Sequence, residues 1–177
     1  MVITGSNGSG KSTLIKLIGG LIRPSGGRIE FSDGDRVLED AEELLPYMGL
    51  VSPEVVFYQQ LTARENLSLL AQMRDVSLGV EQISAALQVA GLDPGDNRQV
   101  GAYSTGMKQR LKFALLQAID PAVWLVDEGL SNLDEDGRRQ VLSLMKDALS
   151  RCRLIVLASN EGEDQIYASQ TISLPQR

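Results

Sequence analysis

The stretch that decides the fold lies almost at the start of the chain and reads Gly5-Ser6-Asn7-Gly8-Ser9-Gly10-Lys11-Ser12-Thr13. The spacing Gly-x-x-x-x-Gly-Lys-Ser is the Walker A pattern. Because glycine has no Cβ, the backbone N–H groups of such a loop can turn inward and surround a phosphate. A helix that begins at Lys11 adds the positive end of its dipole. The stretch therefore predicts a site for a nucleoside triphosphate; the alternative is a glycine-rich turn that binds no ligand.

Two side chains of this stretch have separate expected roles. Lys11 is expected to reach the β- and γ-phosphates as a point charge. The hydroxyl of Ser12 is expected to coordinate Mg²⁺. The neighbouring backbone, from Gly5 to Thr13, is expected to surround the phosphates.

Apolar runs alternate with helical spacing along the chain. The predicted strands cover 1–4, 28–31, 48–52, 123–126, 154–158 and 170–174. Helical spacing covers 11–21, 81–90, 104–119 and 135–151, and a looser helical spacing covers the acidic stretch 33–45. A further helix is predicted after Thr62, which caps it with Glu65 three residues later. This alternation predicts an α/β fold with a mostly parallel sheet covered on both faces.

The helices after residue 61 are expected to form an insertion in this fold. We expect one domain over 1–177. Its core would comprise 1–61 and 120–177, and its helical subdomain would cover about 62–119.

A second group of candidate residues ends the apolar run 123–126. Asp127 and Glu128 follow it directly. Buried parallel strands deliver carboxylates at their carboxyl ends, where ligands bind in open α/β sheets. Asp127 is expected to hold Mg²⁺ through water, and Glu128 to polarise an attacking water. The alternative is two acids that merely end a strand in solvent.

With these motifs and two further ones, the sequence resembles the ATP-binding subunit of an ABC transporter, loosely of the haem-exporter type. The third motif is a variant of the signature Leu-Ser-Gly-Gly-Gln, in which Ser104 and Gly106 match whereas Tyr103, Thr105 and Met107 depart. The fourth resembles the D-loop and reads Ser131-Asn132-Leu133-Asp134. The order and spacing of the four motifs cover nearly the whole chain.

The resemblance implies a P-loop NTPase fold with an inserted signature subdomain. It also implies a head-to-tail dimer, with an identical or a different ATPase subunit, in which Ser104 and Gly106 of one chain cap the γ-phosphate bound by the other, with Asp134 nearby. ATP hydrolysis would then drive a transmembrane partner, whose coupling helix would dock near 57–62. The alternative for Ser104 is an ordinary helix N-cap.

Two positions depart from the family pattern and point to slow hydrolysis. The chain has no histidine. Asn160 stands where the family has its switch histidine, and it can donate a hydrogen bond to a γ-phosphate but carries no charge. Pro53 stands where the family has the Q-loop glutamine. The next residue, Glu54, is expected either to touch Mg²⁺ or water in place of the amide or to face solvent.

The start of the chain also departs from the pattern. The resemblance implies two or three more strands before the glycine loop, together with an aromatic residue that stacks on adenine. Neither precedes Met1. The expectation is a truncated product or a start assigned too late.

Composition limits the other possibilities. The formal net charge of −6 argues against a nucleic-acid partner. No apolar stretch approaches the roughly 18 residues that cross a bilayer, so we expect a cytoplasmic chain held at the inner face of the membrane by its partner. The single cysteine, Cys152, is expected to be a small core residue. Two other functions stay open: a non-transport ATPase of DNA repair or translation, and a degenerate head that binds ATP only.

Overall fold

The computed structural model describes residues 1–38, 41–159 and 168–175. The chain divides into two compact units, which are described separately. Unit 1 comprises Met1–Ser52, Pro121–Gly129 and Leu154–Arg177; unit 2 comprises Pro53–Asp120 and Leu130–Arg153. The assignment of one domain over 1–177 stays a prediction.

Unit 1 is built on a five-stranded parallel sheet. Its strands are β1 (Val2–Thr4), β4 (Met48–Val51), β5 (Val123–Asp127), β6 (Leu154–Ser159) and β7 (Thr171–Ser173), and they lie in the order β4-β5-β6-β1-β7. Every neighbouring pair in this sheet is parallel. The first helix, α1 (Lys11–Ile18), packs against β5 and β6. The predicted parallel α/β fold is confirmed.

The core of unit 1 lies between this sheet and its neighbouring elements. Ile15 of α1 is buried against Ile3, Leu125 and Val156, which come from three adjacent strands. The apolar spacing of α1 thus covers the sheet directly beneath the glycine loop. The helix ends at Ile18, before the predicted residue 21, because Gly19 and Gly20 follow it.

The acidic stretch after residue 30 folds differently from its prediction. Strands β2 (Phe31–Asp33) and β3 (Arg36–Leu38) form an antiparallel hairpin, and the following helix α2 is only Ala41–Leu44. The two-residue connection begins with Gly34, whose φ of 60° suits a tight hairpin turn. The predicted strand is therefore wrong over 28–30, and the helical interpretation of 33–45 is wrong over 33–38.

Unit 2 is helical. It contains α3 (Ala63–Gln72), α4 (Val80–Val89), α5 (Thr105–Ile119) and α6 (Glu135–Ser150), with a short 3₁₀ turn at Val100–Ala102. Helix α5 packs against the other three helices. The predicted start of α3 is confirmed, because Thr62 and Glu65 form a capping box in which each side chain accepts from the other residue's backbone N–H.

Cys152 lies outside the core, so its predicted burial is wrong. Helix α6 ends at Ser150, and the chain turns through Cys152 with a φ of 60° before β6 begins. This turn leaves the cysteine exposed. The apolar run that suggested burial starts only two residues later.

Asn66, a polar residue of α3, is fully buried in unit 2. Its Oδ1 accepts from the backbone N–H of Tyr58 at 2.8 Å, and its Nδ2 donates to the carbonyls of Tyr58 and Thr62 at 3.0 and 2.9 Å. A side chain inside α3 therefore fixes the backbone of the segment that precedes the helix.

Among the described residues, no helix combines the length and the apolar character that crossing a membrane requires.

We predict that Asn66→Ala lowers the free energy of unfolding by about 2–3 kcal/mol, because it leaves several buried backbone groups without partners. Urea unfolding followed by far-UV circular dichroism measures this. The matched control is Asn97→Ala, which removes an exposed amide that accepts from Arg64 and changes stability by less than about 0.5 kcal/mol. Equal losses in the two variants would contradict the role of Asn66.

Candidate phosphate-binding site

The topology of unit 1 brings the glycine loop and the acidic pair to one edge of the sheet. The loop follows β1, and Asp127 is the last residue of β5. Because β6 lies between these two parallel strands, their carboxyl ends are about 10 Å apart. Residues distant in sequence therefore meet where open α/β sheets bind ligands.

The glycine loop has the backbone conformation that its sequence predicts. Gly8 and Gly10 have φ values of 79° and 99°, a region that side-chain-bearing residues rarely adopt. At Gly5, whose φ is 157°, a Cβ would lie 2.5 Å from the Ser9 Oγ and 3.1 Å from the Leu174 carbonyl oxygen, so the surrounding atoms leave little room for a side chain. Gly10 is also the N-cap of α1, with no side chain to occupy the helix end.

Lys11 is buried within this loop, and 6% of it is exposed. Its Nζ donates to the carbonyl oxygens of Gly5 and Ser6, both at 2.9 Å. A lysine ammonium has three donors, and the loop takes two of them. The cation is therefore held at the centre of the loop.

A cavity of about 300 Å³ opens beside the loop. It is lined by Asn7, Gly8, Gly10, Lys11, Ser12, Thr13 and Glu128. A Cβ built at Gly8 or Gly10 would meet no atom within 4 Å, so the space in front of both glycines is open. Positive φ, an open cradle, a central cation and a helix N-terminus together fit a phosphate group.

Asp127 fits a nearby cation. Only 5% of the residue is exposed, and its Oδ1 has no hydrogen-bond partner among the described residues. A buried carboxylate oxygen without a donor is costly unless a cation or water satisfies it. Within the described ranges no three acidic or thiol side chains form a metal cluster. A cation here would therefore complete its shell with the exposed Ser12 hydroxyl, water and ligand oxygens, as Mg²⁺ does.

Glu128 lines the cavity in a strained backbone conformation. Its φ is 52°, which is uncommon for a residue with a side chain, and its N–H donates to the Ala158 carbonyl at 3.2 Å. This kink aims an exposed carboxylate at the cavity instead of continuing β5. Strain of this kind concentrates at functional sites.

The signature residues lie in unit 2, at the start of α5. Ser104 is the N-cap, because its Oγ accepts from the Met107 N–H at 3.2 Å. A Cβ at Gly106 would lie 3.3 Å from the Asn132 carbonyl oxygen, so glycine permits a close approach between the signature and the D-loop. The capping interpretation of Ser104 is confirmed, and a role toward a nucleotide stays a prediction for both residues.

The remaining predicted site residues have the following places. Asp134 caps α6, accepting from the Gly137 N–H at 2.8 Å. Glu54 lies beside Pro53 in an exposed stretch after β4. Asn160 lies outside the described residues. The nucleotide, metal and catalytic roles assigned to these three stay predictions.

An ionic group beside the signature was missed by the sequence analysis. Arg98 lies over the ring of buried Tyr103, 5.6 Å from its centroid, and donates to both carboxylate oxygens of Asp96. The hydrogen bonds from Arg98 lower the pKa of Asp96 to about 2. The Asp-x-Arg spacing could have indicated the pair, but only the fold brings it onto Tyr103.

The sequence is similar to those of known ATP-binding proteins. The family model described as ABC transporter matches residues 1–131. The chain is 36% identical to the bacitracin transport ATP-binding protein BcrA of Bacillus licheniformis, over 81% of this chain and 47% of that protein. It is 34% identical to the cytochrome c biogenesis ATP-binding export protein CcmA of Bradyrhizobium diazoefficiens, over 90% of this chain and 77% of that protein.

The fold is similar to solved ATP-binding cassettes. A dimeric cassette in a post-hydrolysis state, bound to ADP and Pi, superposes with a TM-score of 0.83 at 25% identity, over 98% of this chain and 79% of that chain. A bacterial Atm1-family ABC exporter with ATP bound superposes with a TM-score of 0.80 at 24% identity, over 98% of this chain and 31% of that one.

We predict that Asp127→Asn raises the free energy of unfolding of the ligand-free chain by about 1 kcal/mol, because it removes a buried charge that lacks a donor. The matched control is Asp35→Asn, an exposed acid of the same unit, which changes stability by less than about 0.5 kcal/mol. Urea unfolding without divalent cations measures both. Destabilisation by Asp127→Asn would show that the carboxylate is satisfied by the protein itself.

Proposed function

Because the chain belongs to the ABC transporter family, we propose that it is a nucleotide-binding subunit that binds MgATP and hydrolyses it. The observation that carries this proposal is the pairing of an open glycine cradle around Lys11 with the buried carboxylate of Asp127, whose Oδ1 has no donor in the part of the chain that the structure describes. The two features lie on one sheet edge and supply what a triphosphate and its cation need. In this proposal residues 1–177 form one ATPase domain, with about 62–119 as its helical subdomain.

The proposed binding roles follow from the chemistry of each group. The backbone amides from Gly8 to Thr13 hold phosphate oxygens, except that of Ser9, which donates to the Ser6 carbonyl at 3.1 Å. The N-terminus of α1 adds its dipole. Lys11 exchanges one or both loop carbonyls for phosphate oxygens. Mg²⁺, when bound, neutralises charge on the phosphates, with Ser12 as a ligand and Asp127 acting through water. Glu54 is a further candidate ligand.

Hydrolysis is proposed to be slow. Glu128 lines the cavity and can accept a proton from a water that attacks the γ-phosphate. Asn160 supplies an amide donor but no charge, and the chain contains no histidine that could take its place. Positioning and charge provide most of the catalysis of phosphoryl transfer. Losing the positive charge of a histidine at this position therefore lowers the rate of hydrolysis more than the affinity for ATP. The lack of histidine also favours a second function, in which the head binds ATP without hydrolysing it.

The proposed partners are a second ATPase subunit and a transmembrane subunit. The similar cassettes include dimeric ones, and the similar named proteins are transport and export ATP-binding proteins. In the dimer, Ser104 and Gly106 of one chain face the nucleotide of the other, and Asp134 lies beside them. The chain then works in the cytoplasm, at the inner face of the membrane. The net charge of −6 opposes a nucleic-acid partner.

A pair of glycine substitutions tests the nucleotide site. Gly8 and Gly27 have φ values of 79° and 73°, both face open space, and only Gly8 lines the cavity. We predict that Gly8→Ala and Gly27→Ala lose similar stability, about 1 kcal/mol, while only Gly8→Ala weakens MgATP, by at least about tenfold. Titration with a fluorescent ATP analogue measures the affinity. Unchanged affinity in Gly8→Ala would defeat the proposed cradle.

A substitution of Glu128 tests catalysis and the dimer. We predict that Glu128→Gln keeps MgATP affinity, loses turnover by at least about tenfold and accumulates an ATP-bound dimer, because the amide no longer accepts the proton of the water. Phosphate release and size-exclusion chromatography in MgATP measure both effects. The control Glu81→Gln changes an exposed acid of α4 and leaves both unchanged. A variant that binds ATP and stays monomeric would contradict the composite site; turnover equal to the unsubstituted chain would contradict the role of Glu128.

A further inference from the structure

Helices α5 and α6 of unit 2 lie side by side and run in the same direction. Gly106 in the first turn of α5 approaches the carbonyl of Asn132, which lies just before the N-cap of α6. At the other end, the C-cap residues Asp120 and Arg151 contact each other. The helices have 15 and 16 residues, so each is about 23 Å long. The residues that begin them, Ser104 and Asp134, therefore lie at one end of the pair and the ionic contacts at the other.

The contacts at the far end centre on one carboxylate. Asp120 accepts from Arg151 at 2.9 Å and from two nitrogens of Arg153 at 3.1 and 2.6 Å. Arg151 also donates to Gln117 of α5 at 2.8 Å. The three charged side chains are each about one-third exposed, and hydrogen bonding to Asp120 raises the pKa of Arg153. We call these four residues the Asp120 cluster.

The position of this cluster suits two parallel helices. Because the two helices run in the same direction side by side, their dipoles repel each other. Their carbonyl ends also bring partial negative charge to the same place. Arg151 and Arg153 follow the end of α6 and bring positive charge there. Asp120 has a φ of 46°, a left-handed conformation that ends α5 and turns its carboxylate toward the arginines. The cluster thus binds the end of α6 to the end of α5.

The contacts along the pair transmit this alignment. Between the two ends of the helix pair, Arg110 of α5 donates to the Gln140 side chain of α6 at 3.2 Å. At the first turns, a carbonyl lies so close to Gly106 that even a methyl group would be crowded. Packed helices slide as rigid bodies rather than deforming continuously. A displacement of α6 at the cluster therefore changes the spacing between the signature and the D-loop.

We propose that Asp120 is a positioning residue, which sets the alignment of α5 and α6 and thereby holds the signature serine and the D-loop in register at the opposite end. Its effect on turnover rests on the proposed ATPase function. Its effect on the two helix starts does not depend on that function. Asp120 itself touches no reacting group.

Amide hydrogen exchange read by NMR tests the alignment directly. The probes are the N–H groups of Met107 and Gly137, which the caps Ser104 and Asp134 protect. In Asp120→Asn both amides exchange at least about fivefold faster than in the unsubstituted chain, while Asp120→Glu restores most of the protection. The control Asp147→Asn removes an exposed partner of Arg151 at 3.0 Å and leaves both amides unchanged.

A second measurement separates positioning from loss of fold. In Asp120→Asn the affinity for the ATP analogue stays within twofold, whereas turnover falls about fivefold. Faster exchange confined to 116–120 and 149–153, with Met107 and Gly137 unchanged, would overturn the proposal. If Asp120→Asn does not fold, Arg153→Lys serves instead, because it keeps the charge and loses the two-nitrogen contact. If the unsubstituted chain shows no turnover, the proposed function fails, and hydrogen exchange alone decides this inference.

Discussion

The buried ammonium of Lys11, bonded to the carbonyls of Gly5 and Ser6, is the interaction on which the site depends. It holds the loop closed around a positive charge before a ligand arrives. The two loop carbonyls take two of the three donors of this ammonium, and the third remains for a further acceptor. Formed cradles of this kind lower the entropic cost of ordering the loop around an anion.

The two acidic residues at the end of β5 carry energetically unfavourable features. The Asp127 Oδ1 has no donor among the described residues. Glu128 has a positive φ although it is not a glycine. A buried oxygen without a donor and a positive φ outside glycine each cost free energy, and here both occur in the pair of acids at the end of β5. Natural proteins tolerate such local losses where function requires them. The sheet can hold these unfavourable features, because Leu125 and Val126 of the same strand are almost fully buried and anchor the acidic pair.

Short sequence patterns predict some features of the molecule correctly and miss others. The glycine loop, the acidic end of β5 and the capping box at Thr62 and Glu65 each depend on residues a few positions apart, and each is found where it was predicted. The hairpin at 31–38 was missed because its acidic residues favoured a helix, although Gly34 carried a turn signal. The Asp120 cluster joins residues more than thirty positions apart, so no short pattern could indicate it. Cys152 was misplaced because a single-residue turn decides its exposure.

The caps of α5 and α6 differ in what they can offer a nucleotide. The Ser104 hydroxyl accepts from the Met107 N–H and keeps its own hydrogen to donate, so one atom can begin the helix and contact a phosphate oxygen. The Asp134 carboxylate is an acceptor only, and its charge repels phosphate. Asp134 can therefore act on a nucleotide through a sugar hydroxyl, a water or a cation, but it cannot bind a phosphate oxygen directly. The cap of α5 can therefore offer a donor and the cap of α6 only an acceptor, so the two helix starts differ in the chemistry they present.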